Sequence, residues 1–212
     1  TGFMMPGRWS LRIGRLFGID VGIDVSWLLI FAVLTYSLSR EFAGELGVGG
    51  ASALVFAAVT TLLMYASVLA HEYGHALTAR FFGIRTARII LHLFGGVAFL
   101  ESEPRRPRDE FWITVAGPAV SFVLAALFGA VAWALYLGDA PGQVRLIVET
   151  VAFINLSLGI FNCLPGFPMD GGRVVRSALW AATGDLLLAT RIAALGGGLV
   201  GLLMIGLGGL GV

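Results

Sequence analysis

The sequence predicts an all-α membrane protein of about six transmembrane helices with a short membrane-associated β-hairpin region. Three observations carry that expectation. Of the 212 residues, 58% are hydrophobic and 13% charged, where an average soluble domain has ~45–50% and ~25%. The mean hydropathy is +0.90. Apolar stretches approaching or exceeding the ~20 residues that a spanning helix needs recur along the chain, separated by short polar or glycine-rich breaks.

Residues 10–24 (SLRIGRLFGIDVGID) partly alternate apolar with polar or glycine, the pattern of one or two short strands or an interfacial segment. The chain therefore divides into an N-terminal strand or interfacial segment, 1–24, and a transmembrane core, 25–212. Thr1-Gly2-Phe3, ahead of Met4 and Met5, lies outside the fold argument, and no cleavable signal peptide is visible. The first span is expected from about Val25 to Leu38, followed by a polar, glycine-rich turn from Arg40 to Gly50. A long apolar stretch runs from Ala51 to about Phe82. Residues 84–100 are rich in Ile, Val, Leu and Phe with Gly95-Gly96 inside, which suggests paired strands in or against the membrane. Glu101 to Glu110 is charged and proline-bearing, so a solvent loop is expected there. Further spans follow at about Phe111–Leu137, with Gly117-Pro118 as a kink or close-packing point, and at about Val144–Cys163. After the breakers Pro165 and Pro168 come a short fifth segment, about Arg173–Ala182, and a glycine-rich sixth span, about Leu186–Gly211.

Arginine placement orients the bundle. All basic residues are arginine, and they crowd before the first span (Arg8, Arg12, Arg15) and between the second and third (Arg80, Arg85, Arg88, Arg105, Arg106, Arg108). With six spans these regions share a side with Arg173 and Arg176, against Arg40, Arg145 and Arg191 opposite. The positive-inside rule then puts the N-terminus in the cytoplasm of a cell whose cytoplasmic membrane, expected to be prokaryotic, holds the protein. The net charge of +1 excludes an electrostatic nucleic-acid footprint. The lone Cys163 excludes an intrachain disulfide.

The chemistry concentrates in His71-Glu72-Tyr73-Gly74-His75, an HExxH. On a helix, residues i and i+4 share a face, so the two imidazoles can grip one zinc ion. Glu72 is then angled to take a proton from zinc-bound water, whose pKa the metal lowers to ≈ 7, and to return it to the leaving amine. Two helix histidines packed against polar partners are the alternative reading. Membrane context weighs against it, because an ionisable group at mid-bilayer costs ~2.5–3.5 kcal/mol on insertion scales and needs compensation. A catalytic zinc takes three protein ligands. Asp170 is the candidate third, as the only carboxylate between Val151 and Trp180. The irregular backbone that Pro165, Gly166 and Pro168 impose beside it survives at membrane depth only against protein or a wet cavity. A helix-capping aspartate is the alternative.

HEYGH in an apolar helix, followed later by Asn162-Cys163-Leu164-Pro165-Gly166-Phe167-Pro168-Met169-Asp170-Gly171-Gly172-Arg173, resembles the site-2 protease family of intramembrane zinc metalloproteases. Asn162, Pro165, Asp170 and Gly171 match that family's second motif, Ala116-Gly117-Pro118 with Ser121 its third-helix motif, and Gly95-Gly96-Val97 its membrane-associated strand. The resemblance covers the chain from about Ser10 onward. It implies six transmembrane helices with one zinc held by His71, His75 and Asp170, and Glu72 as general base. It implies single-pass membrane proteins as substrates, cut within or near their spanning segment in regulated intramembrane proteolysis. Members of this type often carry a regulatory domain after the membrane core; here such a domain would lie C-terminal to this chain.

Asn162 is a candidate to bind substrate backbone or the developing oxyanion, or equally a helix-end amide satisfying a local carbonyl. Gly95, Gly96 and Val97 are candidates to hold an extended substrate by strand addition; a hairpin that merely packs under the helices is the alternative. Cys163 fits a small buried hydrophobe better than a ligand, and His92 a structural or interfacial role. The glycines of the last span suit close helix approach, with a gating movement of that helix as the alternative. The run Arg105-Arg106-Pro107-Arg108 suits a solvated orientation signal, with contact to anionic lipid as the alternative. Two rival functions stand beside the protease: an ion transporter, which lacks the expected internal repeat, and an inactive scaffold, for which Glu72 would have no task. Partners other than substrate and lipid bilayer, and the oligomeric state, are not specified by the sequence.

Overall fold

The computed structural model describes residues 10–93 and 95–209. Arg8, the leading residues before Met4 and the end of the last span past Gly209 lie outside them. Two strands open the chain, β1 (Ser10–Leu16) and β2 (Ile19–Asp24). Two helices follow, α1 (Val25–Leu46) and α2 (Gly50–Phe81). Next come β3 (Thr86–His92) and β4 (Gly95–Leu100). Four helices complete the chain: α3 (Pro107–Leu137), α4 (Gly142–Asn162), α5 (Asp170–Thr183) and α6 (Leu186–Gly209).

Six helices form, as the sequence predicts, and α1 to α4 are each long and apolar enough to cross a membrane. The short fifth element has 14 residues, about 21 Å of helix against a hydrocarbon core of about 30 Å. The sixth is apolar over Leu186–Leu199. The strands do more than form a hairpin. β1 and β2 pair antiparallel, β2 and β3 parallel, and β3 and β4 antiparallel, in one sheet of order β1-β2-β3-β4.

Two expected loops are helical. The first helix runs past Leu38 to Leu46, through the expected polar turn, because Phe42 buries itself against Ala53 and Ala57 of α2. It stops at Gly47, whose φ of 60° suits a residue without Cβ. Its start is capped by Asp24, which accepts the Ser26 amide at 2.9 Å. Hydrogen bonding by Ser26 holds that carboxyl below its ordinary pKa. The expected solvent loop at 101–110 ends early: α3 begins at Pro107, with Pro at the first helical positions and Asp109 and Glu110 in the first turn. Proline has no N–H to lose there, and acids suit the helix N-terminus.

The sheet packs on α2. Ile19, Val21 and Ile89 bury against Tyr73 and Ala76, and the Tyr73 hydroxyl donates to the Leu16 carbonyl at 3.1 Å. Polar ties join the helices: Asn155 of α4 donates to the Ser67 hydroxyl of α2 at 2.9 Å, one turn before His71, and Thr35 of α1 to Thr61 of α2 at 3.2 Å. Gly74 allows α2 and α3 to touch, since a Cβ there would sit 2.7 Å from the Ala116 carbonyl oxygen. The third helix thus packs between α2, α4 and α5, the arrangement that builds the site.

Candidate metal centre

His75 lies six residues before the end of α2, about 9 Å of rise from its terminus, so the histidine pair sits toward one end of the bundle. His71 is 3% exposed. The backbone turns irregularly through 163–169, and Asp170 opens α5 as its first helical residue rather than as its cap, which is Met169. The fold brings this residue to His71 from 99 positions away in sequence.

Three donor atoms converge. His71 Nε2 and His75 Nε2 are 3.1 Å apart, and Asp170 Oδ2 lies 3.2 Å from each. A tetrahedral ion bound at ~2.0–2.1 Å places its ligands about 3.3 Å from one another. The triangle therefore has the edge lengths of three corners of such a tetrahedron. His71, His75 and Asp170 form the one metal-capable group of this kind among the described residues.

The other ring nitrogens set the tautomers. His75 Nδ1 faces the Ile113 carbonyl oxygen at 2.8 Å. A carbonyl only accepts, so Nδ1 carries the proton, and in the neutral ring Nε2 presents its lone pair toward Asp170. His71 Nδ1 faces the Ser121 hydroxyl at 2.8 Å, a partner to which it can donate. Lone pairs of nitrogen and carboxylate oxygen facing at 3.2 Å repel unless a cation or proton is shared between them. The donor set and its supporting hydrogen bonds fit a divalent metal with a taste for imidazole and carboxylate. Gly117 of α3 leaves the room: a Cβ there would collide with His75 Nε2 and Cε1 and lie 2.6 Å from His71 Nε2.

Glu72 shares a cavity of about 280 Å³ with the trio, and Gly95, Gly96, Val97, Asn162 and Arg173 also line it. The Glu72 carboxylate accepts the Ala98 amide of β4 at 3.0 Å. Gly96 lies flat against it, since a Cβ would stand 2.5 Å from Glu72 Cγ. This strand is last in the sheet order, so its outer edge carries no further strand among the described residues. Asn162 lines the cavity, while its Nδ2 donates to the Leu158 carbonyl at 3.0 Å, the local role weighed above. Cys163 is exposed and, like His92, stands outside the donor set.

Sequence reasoning missed Glu110, assigned to solvent. It is 1% exposed and accepts Arg176 Nε at 2.9 Å. The helix-start signal of Pro107 followed by two acids was the cue. Ile113 carried no cue, since its part is played by the backbone.

The model for Peptidase family M50 matches residues 59–143 and 139–205. The chain is 40% identical over 96% of its length to sll0528 of Synechocystis sp. and 41% identical over 95% to Rip3 of Mycobacterium tuberculosis, both with zinc metalloprotease in their names. It spans about half of each, 53% and 51%. Among solved structures it is similar to the site-2 protease from Methanocaldococcus jannaschii, with a TM-score of 0.66 and 29% identity over 96% of this chain and 86% of that one. By a family match across most of the chain and a fold shared along nearly all of it, this is an integral membrane protein that belongs to peptidase family M50, the site-2 protease family.

Proposed function

We propose that the chain is the membrane core of an intramembrane zinc endopeptidase, with His71, His75 and Asp170 as ligands of one zinc ion and Glu72 as general base. The observation that carries this reading is the 3.1–3.2 Å triangle of donor atoms beside a carboxylate in the same cavity. When bound, zinc supplies Lewis acidity and a water acidic enough to lose a proton near neutral pH. Glu72 takes that proton. As the C–O bond forms and the peptide C–N bond breaks, Glu72 returns the proton to the leaving nitrogen, so that one water is consumed per bond cut.

The substrate is a single-pass membrane protein, cut within or near its spanning segment. A helix in lipid hides its peptide bonds in its own hydrogen bonds, so the substrate must be extended before it is cut. The outer edge of β4, beside Glu72, supports strand addition as the means, with Gly95, Gly96 and Val97 lining the way. Asn162 keeps a second N–H for substrate backbone or oxyanion. The arginine-rich side, which includes the cavity end of α2, faces the cytoplasm under the positive-inside rule.

The test compares purified wild type with Glu72→Gln, His71→Ala and Asp170→Ala, by metal mass spectrometry and by cleavage of a tagged single-pass reporter in liposomes. About one zinc per chain in wild type and Glu72→Gln, none in the ligand variants and cleavage by wild type alone are expected. Wild type without zinc, or a Glu72→Gln variant that still cuts, sinks the reading.

A further inference from the structure

Glu110, Ile113, Gly117 and Ser121 lie at i, i+3, i+7 and i+11 of α3, one face of a helix. Three of the four serve the two histidines. Ser121 meets His71, the Ile113 carbonyl meets His75, and Gly117 gives both rings room. The third helix supplies no donor to the trio, yet its face orients two of the three donor side chains.

The fourth residue of that face points to the third donor. Glu110 is buried to 1% exposure in a membrane bundle, where an unpaired carboxylate is costly. Its Oε1 accepts from both Nε and Nη2 of Arg176, and Arg173 Nε stands 3.6 Å from the same oxygen. Both arginines belong to α5, whose first residue is Asp170. Arg173 follows Asp170 by three residues, less than one turn, and lines the same cavity. The Arg176 guanidinium also lies over the Phe167 ring at 5.6 Å, so the grip extends to the irregular segment that leads into Asp170. Helix ends fray in general, and Asp170 is the first residue of a 14-residue helix whose start already packs closely, with Gly171 and Gly172 against the backbone of Cys163, Leu164, Gly166 and Phe167. The charged tie from Glu110, with two guanidinium N–H groups of Arg176 on one carboxylate oxygen, adds a hold within two turns of Asp170.

We propose that Glu110 is a positioning residue for the metal centre: through Arg176 and Arg173 it fixes the start of α5 and so the place of Asp170. One face of α3 then orients all three ligands without touching the ion. The inference rests on the proposed ligand role of the trio. It differs from a general stabilising role, because loosening the tie displaces one ligand selectively.

Zinc affinity of the detergent-purified full chain, read by chelator competition, tests it. Glu110→Gln removes the charge, Glu110→Asp keeps the charge but shortens the reach, and Arg176→Lys keeps the charge but loses the planar fork. Each is expected to weaken zinc by at least about tenfold, the loss typical of outer-shell partners. Phe42→Ala, which hollows the α1–α2 contact, is the control for general loosening and is expected to leave affinity within about twofold. If Glu110→Gln does not fold, Glu110→Asp and Arg176→Lys decide. Wild type that holds zinc, with affinity unchanged in the variants that fold, overturns this inference and leaves the proposed function standing; so does equal weakening in Phe42→Ala. Wild type that holds no zinc removes the ligand set itself and fails the proposed function.

Discussion

The Glu72 carboxylate accepts a hydrogen bond from the Ala98 backbone amide at 3.0 Å, so the proposed base is tied to the strand along which substrate is proposed to lie. That tie depends on Gly96, where a Cβ would press on Glu72 Cγ at 2.5 Å and Cδ at 3.1 Å. The side that gives way is the end of a flexible side chain, so Gly96→Ala is expected to fold and to keep its zinc while turning Glu72 aside. A misplaced general base costs ~10²–10⁴-fold in rate. Gly117→Ala presses instead on the two imidazoles and is expected to lose zinc. Metal content and reporter cleavage of the two variants separate them. Zinc lost from Gly96→Ala, or kept at full affinity by Gly117→Ala, contradicts the geometry.

Ser121 is fully buried, and its hydroxyl meets His71 Nδ1 at 2.8 Å. Removing the hydroxyl leaves that nitrogen without its partner and frees the ring to rotate. Ser121→Ala is expected to weaken zinc ~10–100-fold, in line with other second partners of metal-bound histidines. Ser121→Thr keeps the hydroxyl and serves as its rescue. Chelator competition on both variants reads the effect, and an Ala variant as tight as wild type removes Ser121 from the ligand support.

What the sequence made legible was local. The spacing of His71 and His75 puts both on one helix face whatever the rest of the chain does, and α2 presents them so. The strand character of 10–24 and 84–100 was readable for the same reason. Asp170 was reachable only because it is a lone carboxylate in an apolar, proline-broken stretch. The parallel pairing of Val21 with Ile89 was not legible, because two long helices separate those strands and no periodicity records which edges meet. Glu110 was misread because ESEPRRPRDE is charged throughout. The ionic partner that lets this one acid be buried, Arg176, lies 66 positions away. The Asn162 amide donates to the Leu158 carbonyl within its own helix, a bond that composition does not foretell and that leaves its second N–H for the proposed substrate contact.

The free edge of β4 yields the last prediction. Val97 is 38% exposed, pairs with Ile90 on the β3 side and lines the cavity with Glu72. Side chains alternate along a strand, so Val97 and Phe99 share one face, and Ala98 turns to the other, against the sheet–α2 core. A substrate strand added at this edge runs about 4.8 Å away, within reach of a photo-crosslinking side chain at either position. Crosslinks from 97 and 99 to a single-pass reporter are therefore expected, strongest in the Glu72→Gln background where substrate is held but not cut. A crosslinker at Val55, exposed on α2 in its first turns and remote from the cavity, should give none. Silence along the whole of 95–100, with the reporter still cleaved by wild type, would mean that the substrate is extended elsewhere and that β4 serves only to hold Glu72.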